Sequence, residues 1–347
     1  MPPGIKNRKI SFMFLFLLRI YVLLPHLCRK KTMQNFGQLK LCHLVITSHK
    51  EVLFRSAADV GVFLNCLALA AYSTGTRILV DAEMSTHSHI GLLSTQPTEF
   101  DRSVRIRYSK YFNRKYNRGG RFGDIGCFTA YLNGAAHICT AISYILRNPV
   151  HHGISATPFG YPHSSANCIF AKDLGRTPQK EAITSRREIS SFLPRYSEFP
   201  DDYVMSPEGV FARESFEEIQ LVESLYVTPR SFLYNMNRLS GEEWMKDQER
   251  DGTGIEPVTL QNMEVGYSES EMSRMLKAEK GHSFMNMGAD DFTLCGVVDN
   301  DIIRRFGKVS VYDLSLSQKR KAAETLCHEL KVSPTQASRI LALEYNG

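Results

Sequence analysis

TRILVDAEMSTHSHIGLLST, residues 76 to 95, decides the fold. Apolar residues fill both halves, and the polar pair Ser85 and Thr86 separates them. The stretch reads as two strands, residues 76 to 85 and 87 to 95, that pair as antiparallel neighbours. His87 and His89 lie two apart on the second strand, so both project to one face and can converge on one ion without bending the backbone. The same spacing also suits two imidazoles on a solvated face. Upstream, LKLCHLVITS (39 to 48) alternates like a half-buried strand, and residues 56 to 73 carry Ala, Val, Phe, Leu and Cys at helical intervals. Downstream, residues 99 to 118 read as a helix ended by Gly119 and Gly120. Residues 132 to 147 read as another, stopped by Asn148 and Pro149. Strand, helix, strand, strand, helix, helix predicts an α+β chain: a ferredoxin-like antiparallel sheet with helices on one face.

The chain has 347 residues, enough for two domains, and its 43% hydrophobic content is that of an ordinary soluble protein. Eight scattered cysteines form no C-x-x-C pair, which speaks against a disulfide framework or a zinc knuckle and for a reducing cytoplasm. The net charge of +6 misleads, because residues 1 to 32 hold seven Lys or Arg and no acid. That segment, with the apolar run ISFMFLFLLRIYVLLPHLC, is too broken by Arg19 to span a bilayer. It reads as an extension outside the folded domain, with Met33 as the natural start, rather than as a membrane anchor.

Charge is informative locally. Arg102, Arg105, Arg107, Lys110, Arg114, Lys115, Arg118 and Arg121 follow one another with no acidic residue between them. Such a run is either a solvated helix face or the footprint of a phosphate-binding surface. The interleaved Tyr108, Tyr111, Phe112 and Tyr116 are either core or platforms for stacking bases.

Composition divides the chain into the 1–32 extension, a domain over 33–175, an accessory region over 176–300, and a helical segment over 301–347. In that last segment Ala322, Leu326 and Leu330 share one helix face, and Ser333 with Pro334 starts a second helix. Gln336 and Arg339 then lie on the outer face, where helix-turn-helix proteins contact duplex DNA. A helical hairpin packed on its own domain is the alternative.

The sequence AISYILRNPV, residues 141 to 150, places Tyr144 and Asn148 four apart, one above the other on a helix. Taken alone, they could be a core tyrosine and a helix stop. Together with HSH, however, they resemble the single-tyrosine HUH transposases, and among these the REP-associated tyrosine transposases. There a strand motif M-P-N-H-x-H is joined by a helix motif Y-I-x-x-N-P-V. This chain has Met84, Ser85, Thr86, His87, Ser88, His89, and Tyr144, Ile145, Leu146, Arg147, Asn148, Pro149, Val150. The resemblance runs over residues 40 to 170: CHLVITSHKEVLF is similar to the opening strand, RYSKYFNRKYNRGGRFG to the basic helix and loop, and YPHSS to a Y-P-W-S-S tail. Ser85 and Thr86 replace the usual Pro and Asn, and His163 the usual Trp.

The resemblance implies that His87, His89 and Asn148 hold Mg2+ or Mn2+. It implies that Tyr144 attacks a phosphate of single-stranded or hairpin DNA, leaving a 5′-phosphotyrosine and a 3′-hydroxyl. The basic run, including Arg105, Arg107, Lys110, Arg114, Lys115, Arg118 and Arg121, would anchor phosphates. Related enzymes act as monomers or as homodimers that exchange tyrosine helices. A DNA-binding regulator that keeps the fold without turnover, and a membrane-anchored protein with structural histidines, are the competing expectations.

Overall fold

The computed structural model describes residues 40–48, 51–120, 127–132, 135–152, 154–176, 182–237 and 290–344. The N-terminal extension, Met33, Arg121 and residues 177–181 and 238–289 of the accessory region lie outside the described residues. Strand β1 (Lys40–Thr47), helix α1 (Ala57–Thr74), strands β2 (Arg77–Met84) and β3 (His87–Ser94), helix α2 (Pro97–Tyr116) and strand β4 (Cys127–Tyr131) follow in order. The strands make one antiparallel sheet in the order β2-β3-β1-β4. The expected β2–β3 pairing is present, with Met84 opposite His87 and Ala82 opposite His89. The β4 strand is an addition to the expected element order.

Strand alternation sorts the side chains. Leu44, Ile46, Ile90 and Leu92 join α1 and α2 in one core with the fully buried Phe54, Phe63 and Leu67. Each such side chain removed from water contributes about 1.5–3 kcal/mol. The N-terminus of α1 is fixed by a capping box: Ser56 Oγ accepts from the Asp59 amide at 3.3 Å, and Asp59 Oδ2 from the Ser56 amide at 2.9 Å. The same buried carboxylate accepts from Tyr111 Oη, Tyr116 Oη and Lys115 Nζ, tying α2 to the start of α1.

The opposite face is also covered, so the expected one-sided arrangement is corrected. Helix α3 (Ala135–His151) lays Ile138, Ala141, Ile142 and Ile145 against Val80, Ala82 and Leu93. The sheet has apolar groups on both faces, and a second helix is needed to bury them. The expected stop at residue 147 is corrected as well. Pro149 lies inside α3, where it forfeits only its own hydrogen bond, and the helix runs on to His151 with the His152 amide donating to the Asn148 carbonyl.

The segment from 183 to 216 adds Ile189, Phe199, Met205 and Phe211 to the first core. Helices α4 (Ile219–Tyr226) and α5 (Pro229–Asn237) add Val222, Tyr226 and Phe232 to the second. Arg213 pins the chain to β2 through buried Asp81 and Glu83, at 2.7 and 2.8 Å. A third core joins helix α6 (Asp291–Val297) and its continuation to Arg305 with helices α7 (Leu316–Glu329) and α8 (Pro334–Ile340). This core crosses residue 300, where composition placed a boundary. Ala322 and Leu326 are buried as expected, whereas Leu330 is 42% exposed at the turn. The third core includes Val52 of the sheet domain. Arg55 reaches Asp299 and the Ile340 carbonyl.

Among the described residues, α1 is long and apolar enough to cross a membrane, with mean hydropathy 1.3. It is a core helix here, 67% buried.

Candidate functional site

The polar residues at the sheet–α3 interface come from both motifs. His87 and His89 point from β3 toward α3, which returns Tyr144 and Asn148 to meet them. His87 Nε2 lies 3.0 Å from Asn148 Oδ1. The Tyr144 ring stands edge-on to His89, with centroids 5.6 Å apart. One helical turn thus carries a phenol and an amide onto two imidazoles, as the four-residue spacing predicts.

The sheet contributes more than the motif. His43 on β1 sits opposite Gly91 and is fully buried. Its Nε2 is 2.9 Å from His89 Nδ1, and its ring stacks on that of His89. Thr86 Oγ1 lies 2.9 Å from His87 Nδ1. Each motif histidine therefore has its Nδ1 engaged by a neighbour. His151 stacks on Tyr144 at 5.6 Å, and His152 packs against His87 at 5.0 Å.

Gly91 sets how closely the helix approaches. A Cβ there would lie 3.1 Å from Val80 Cγ2 and 3.4 Å from Ile145 Cδ1. The first distance is tight, so Val80 on β2 would have to give by a few tenths of an ångström, while the second is ordinary contact with the helix.

Burial dominates the electrostatics. It holds His43 down to about 3. His87 falls to about 3 by burial and the neighbouring His152. His89 lies well below its ordinary value for the same reason, reinforced by His87 and His43. His151 and His152, half-buried, are lowered to about 4, chiefly by desolvation. At neutral pH the imidazoles are uncharged and keep lone pairs for a cation.

Among the described residues, no three His, Cys, Asp or Glu side chains form a ready metal group. What converges is two imidazoles and an amide carbonyl, a mixed nitrogen and oxygen donor set. Neighbouring ligands of an octahedral ion at about 2.1 Å lie about 3 Å apart. The 3.0 Å between His87 Nε2 and Asn148 Oδ1 matches that edge. The buried Asn148 Nδ2 has no hydrogen-bond partner, so the amide is not held there by a full set of hydrogen bonds. These donors fit a divalent cation.

The basic helix is elsewhere. Its inner residues Phe100, Val104, Tyr108 and Phe112 belong to the first core, so α2 lies on the face of the sheet opposite Tyr144. Several charges expected at DNA are tied to the protein. Arg118 is buried against Glu51 at 2.6 Å, Lys115 pairs with Asp59, Arg105 with Asp101, and Arg107 donates to Ser103. Lys110 and Arg114 are exposed. The tyrosine hydroxyls are tied into the fold: Tyr108 donates to the Leu53 carbonyl, and Tyr111 and Tyr116 to Asp59. Gln336 and Arg339, expected on an outward face, instead hydrogen-bond to Asp291.

The sequence pattern points to Thr86 only as a motif position, and carries no signal for His151, His152 or Asp291. The signal for His43 was its parity on β1, which the register of β1 against β3 turns into a contact.

No protein-family model matches the chain, and no curated protein matches it. One solved structure found by comparison is described as the "Structure of the REP associates tyrosine transposase bound to a REP hairpin". It is 11% identical, with a TM-score of 0.34 over 43% of this chain and 89% of that one. A likeness of that degree carries no argument about function.

Proposed function

We propose that this protein is a single-tyrosine HUH-type enzyme, a transposase-like nickase and strand transferase acting on single-stranded or hairpin DNA. We assign its sheet domain to the ferredoxin-like class, on the element order β1-α1-β2-β3-α2-β4 and the spatial order β2-β3-β1-β4. The observation that carries the reading is the return of Tyr144 and Asn148, on one turn of α3, to the two histidines of β3.

Tyr144 Oη attacks the scissile phosphorus and gives up its proton as the new oxygen–phosphorus bond forms. The bond to the 3′ oxygen breaks, that oxygen takes up a proton, and the 5′ phosphate stays on the tyrosine. Attack by a different 3′-hydroxyl reverses the step and joins new ends, so no nucleotide cofactor is consumed. His87, His89 and Asn148 would hold Mg2+ or Mn2+, which when bound supplies Lewis-acid stabilisation of the phosphate's developing charge. His43 and Thr86 hold the two imidazoles by their Nδ1 atoms, which would leave Nε2 of His89 and, once its hydrogen bond to Asn148 Oδ1 is given up, Nε2 of His87 as donors to such an ion. Burial keeps all of them neutral.

The test is a denaturant-resistant protein–DNA adduct on hairpin-containing single strands with manganese. Wild type is expected to form it and Tyr144→Phe to form none, while His87→Ala and His89→Ala lose metal-dependent cleavage and keep strand binding. An adduct that survives Tyr144→Phe, or no adduct on any hairpin strand, overturns the assignment. Binding that ignores both Tyr144→Phe and chelators, without cleavage, identifies a regulator instead.

A further inference from the structure

The C-terminal helices touch the histidine motif directly. Ser85 Oγ, two residues before His87, donates to Asp291 Oδ2 at 2.5 Å. Arg339 Nη2 donates to both oxygens of the same carboxylate, at 3.1 and 3.0 Å, and Gln336 Nε2 to Oδ1 at 2.8 Å. Phe292 adds an apolar contact, with its ring edge-on to His163 at 5.4 Å; the His163 carbonyl accepts from the Glu83 amide of β2. Asp291 is therefore a buried latch between the β2–β3 turn and α8.

We propose that the C-terminal unit completes the candidate tyrosine site, with Arg339, held in place by Asp291, as a phosphate-binding residue for the DNA strand that enters it. This rests on the proposed function and adds a contact to it.

Three observations support the assignment. The Arg339 side chain is 32% exposed while Asp291 is 8% exposed, so the guanidinium is the accessible end of the pair. Only its Nη2 is bound by the latch, and its Nε is buried without a hydrogen-bond partner. A planar guanidinium gripped along one edge can still offer donors to a phosphate oxygen. The third observation is connection: through the shared Asp291 carboxylate Arg339 is joined to Ser85, two residues before His87 on the turn that opens β3. This puts a guanidinium beside the turn on which the histidine motif begins, whereas the basic helix α2 lies across the sheet. The orientation also accounts for why Arg339 does not stand on an outward recognition face.

The full chain, with Tyr144→Phe to prevent turnover and chelator to remove metal, is titrated with a hairpin-containing single strand over a salt series. Arg339→Gln is expected to weaken binding about tenfold and to lower the salt slope by about 0.7, the value of one single-strand phosphate contact. Replacing the scissile phosphate with a neutral methylphosphonate should remove most of the difference between the protein that keeps Arg339 and the Arg339→Gln variant, a result that a merely structural arginine would not give. Thermal melting confirms that Arg339→Gln is folded, and Arg339→Lys should recover part of the affinity. Equal affinities and salt slopes for the two proteins overturn the inference alone. Tighter binding by Arg339→Gln overturns it too, and makes the unit a cover over the site. If the protein that keeps Arg339 binds no hairpin strand under any condition, the proposed function falls, and this inference with it.

Discussion

The two faces of the sheet are built from the same strands and do opposite work. Toward α1 and α2, β1 and β3 present Cys42, Leu44, Ile46, Ile90 and Leu92, packed against Phe54 and Phe63. Toward α3 they present His43, His87 and His89, all three buried. The first face holds the domain together through apolar burial. The second buries neutral polar groups, leaving His43 Nδ1 and Asn148 Nδ2 without partners. Unsatisfied buried groups cost stability, and these two sit beside the candidate tyrosine.

This contrast is breakable. The largest expected effect is on the apolar face: Phe63→Ala should cost about 3–5 kcal/mol in denaturant unfolding. On the other face, Tyr144→Phe should stay within about 0.5 kcal/mol of wild type in the same measurement while abolishing the adduct. Comparable losses would make the α3 face structural.

Next comes Arg118. Its removal leaves Glu51 buried without its cation, though still accepting from Tyr312 Oη at 2.5 Å, so Arg118→Ala should cost about 3 kcal/mol. If it instead leaves unfolding unchanged and weakens DNA binding, the basic run regains its role as a phosphate surface.

A further test is the dependence of stability on pH. His43 at about 3 and His163, lowered to about 4 by burial and Arg213, both lie below the ordinary value of 6.5. Between those values the unfolded chain takes up protons that the folded chain refuses. This contribution is therefore fully present above pH 6.5 and is lost as pH falls from 6.5 toward 4. Metal-free melting temperatures should be level above pH 7 and decline below 6.5. A curve level down to pH 4.5 would show that the polar face is not buried in solution.

Much of this was legible in the sequence, and the gaps have physical causes. Strands β1, β2 and β3 and helices α1 and α2 were marked by periodicity and ended near the expected residues, because local pattern and burial agree there. Strand β4 is five residues long and is made a strand by its pairing with β1, a nonlocal contact. Periodicity also shows that a helix has an apolar side without saying which face of a sheet receives it, and α3 packs on the face opposite α1 and α2. Spacing put Tyr144 and Asn148 together. It could not reveal His43, whose approach to His89 depends on strand register, nor Asp291, which meets Ser85 from far along the chain. Gln336 and Arg339 were assigned outward because the sequence does not show what stands opposite a helix.

Gly91 gives the α3 face a mechanical gauge. With a hydrogen where other residues carry a methyl, Val80 and Ile145 close to within ordinary contact, and the helix bearing Tyr144 and Asn148 is seated at a fixed clearance from the strand bearing His87 and His89. One missing carbon atom, two residues beyond the motif, leaves room for Val80 against the strand beneath the helix.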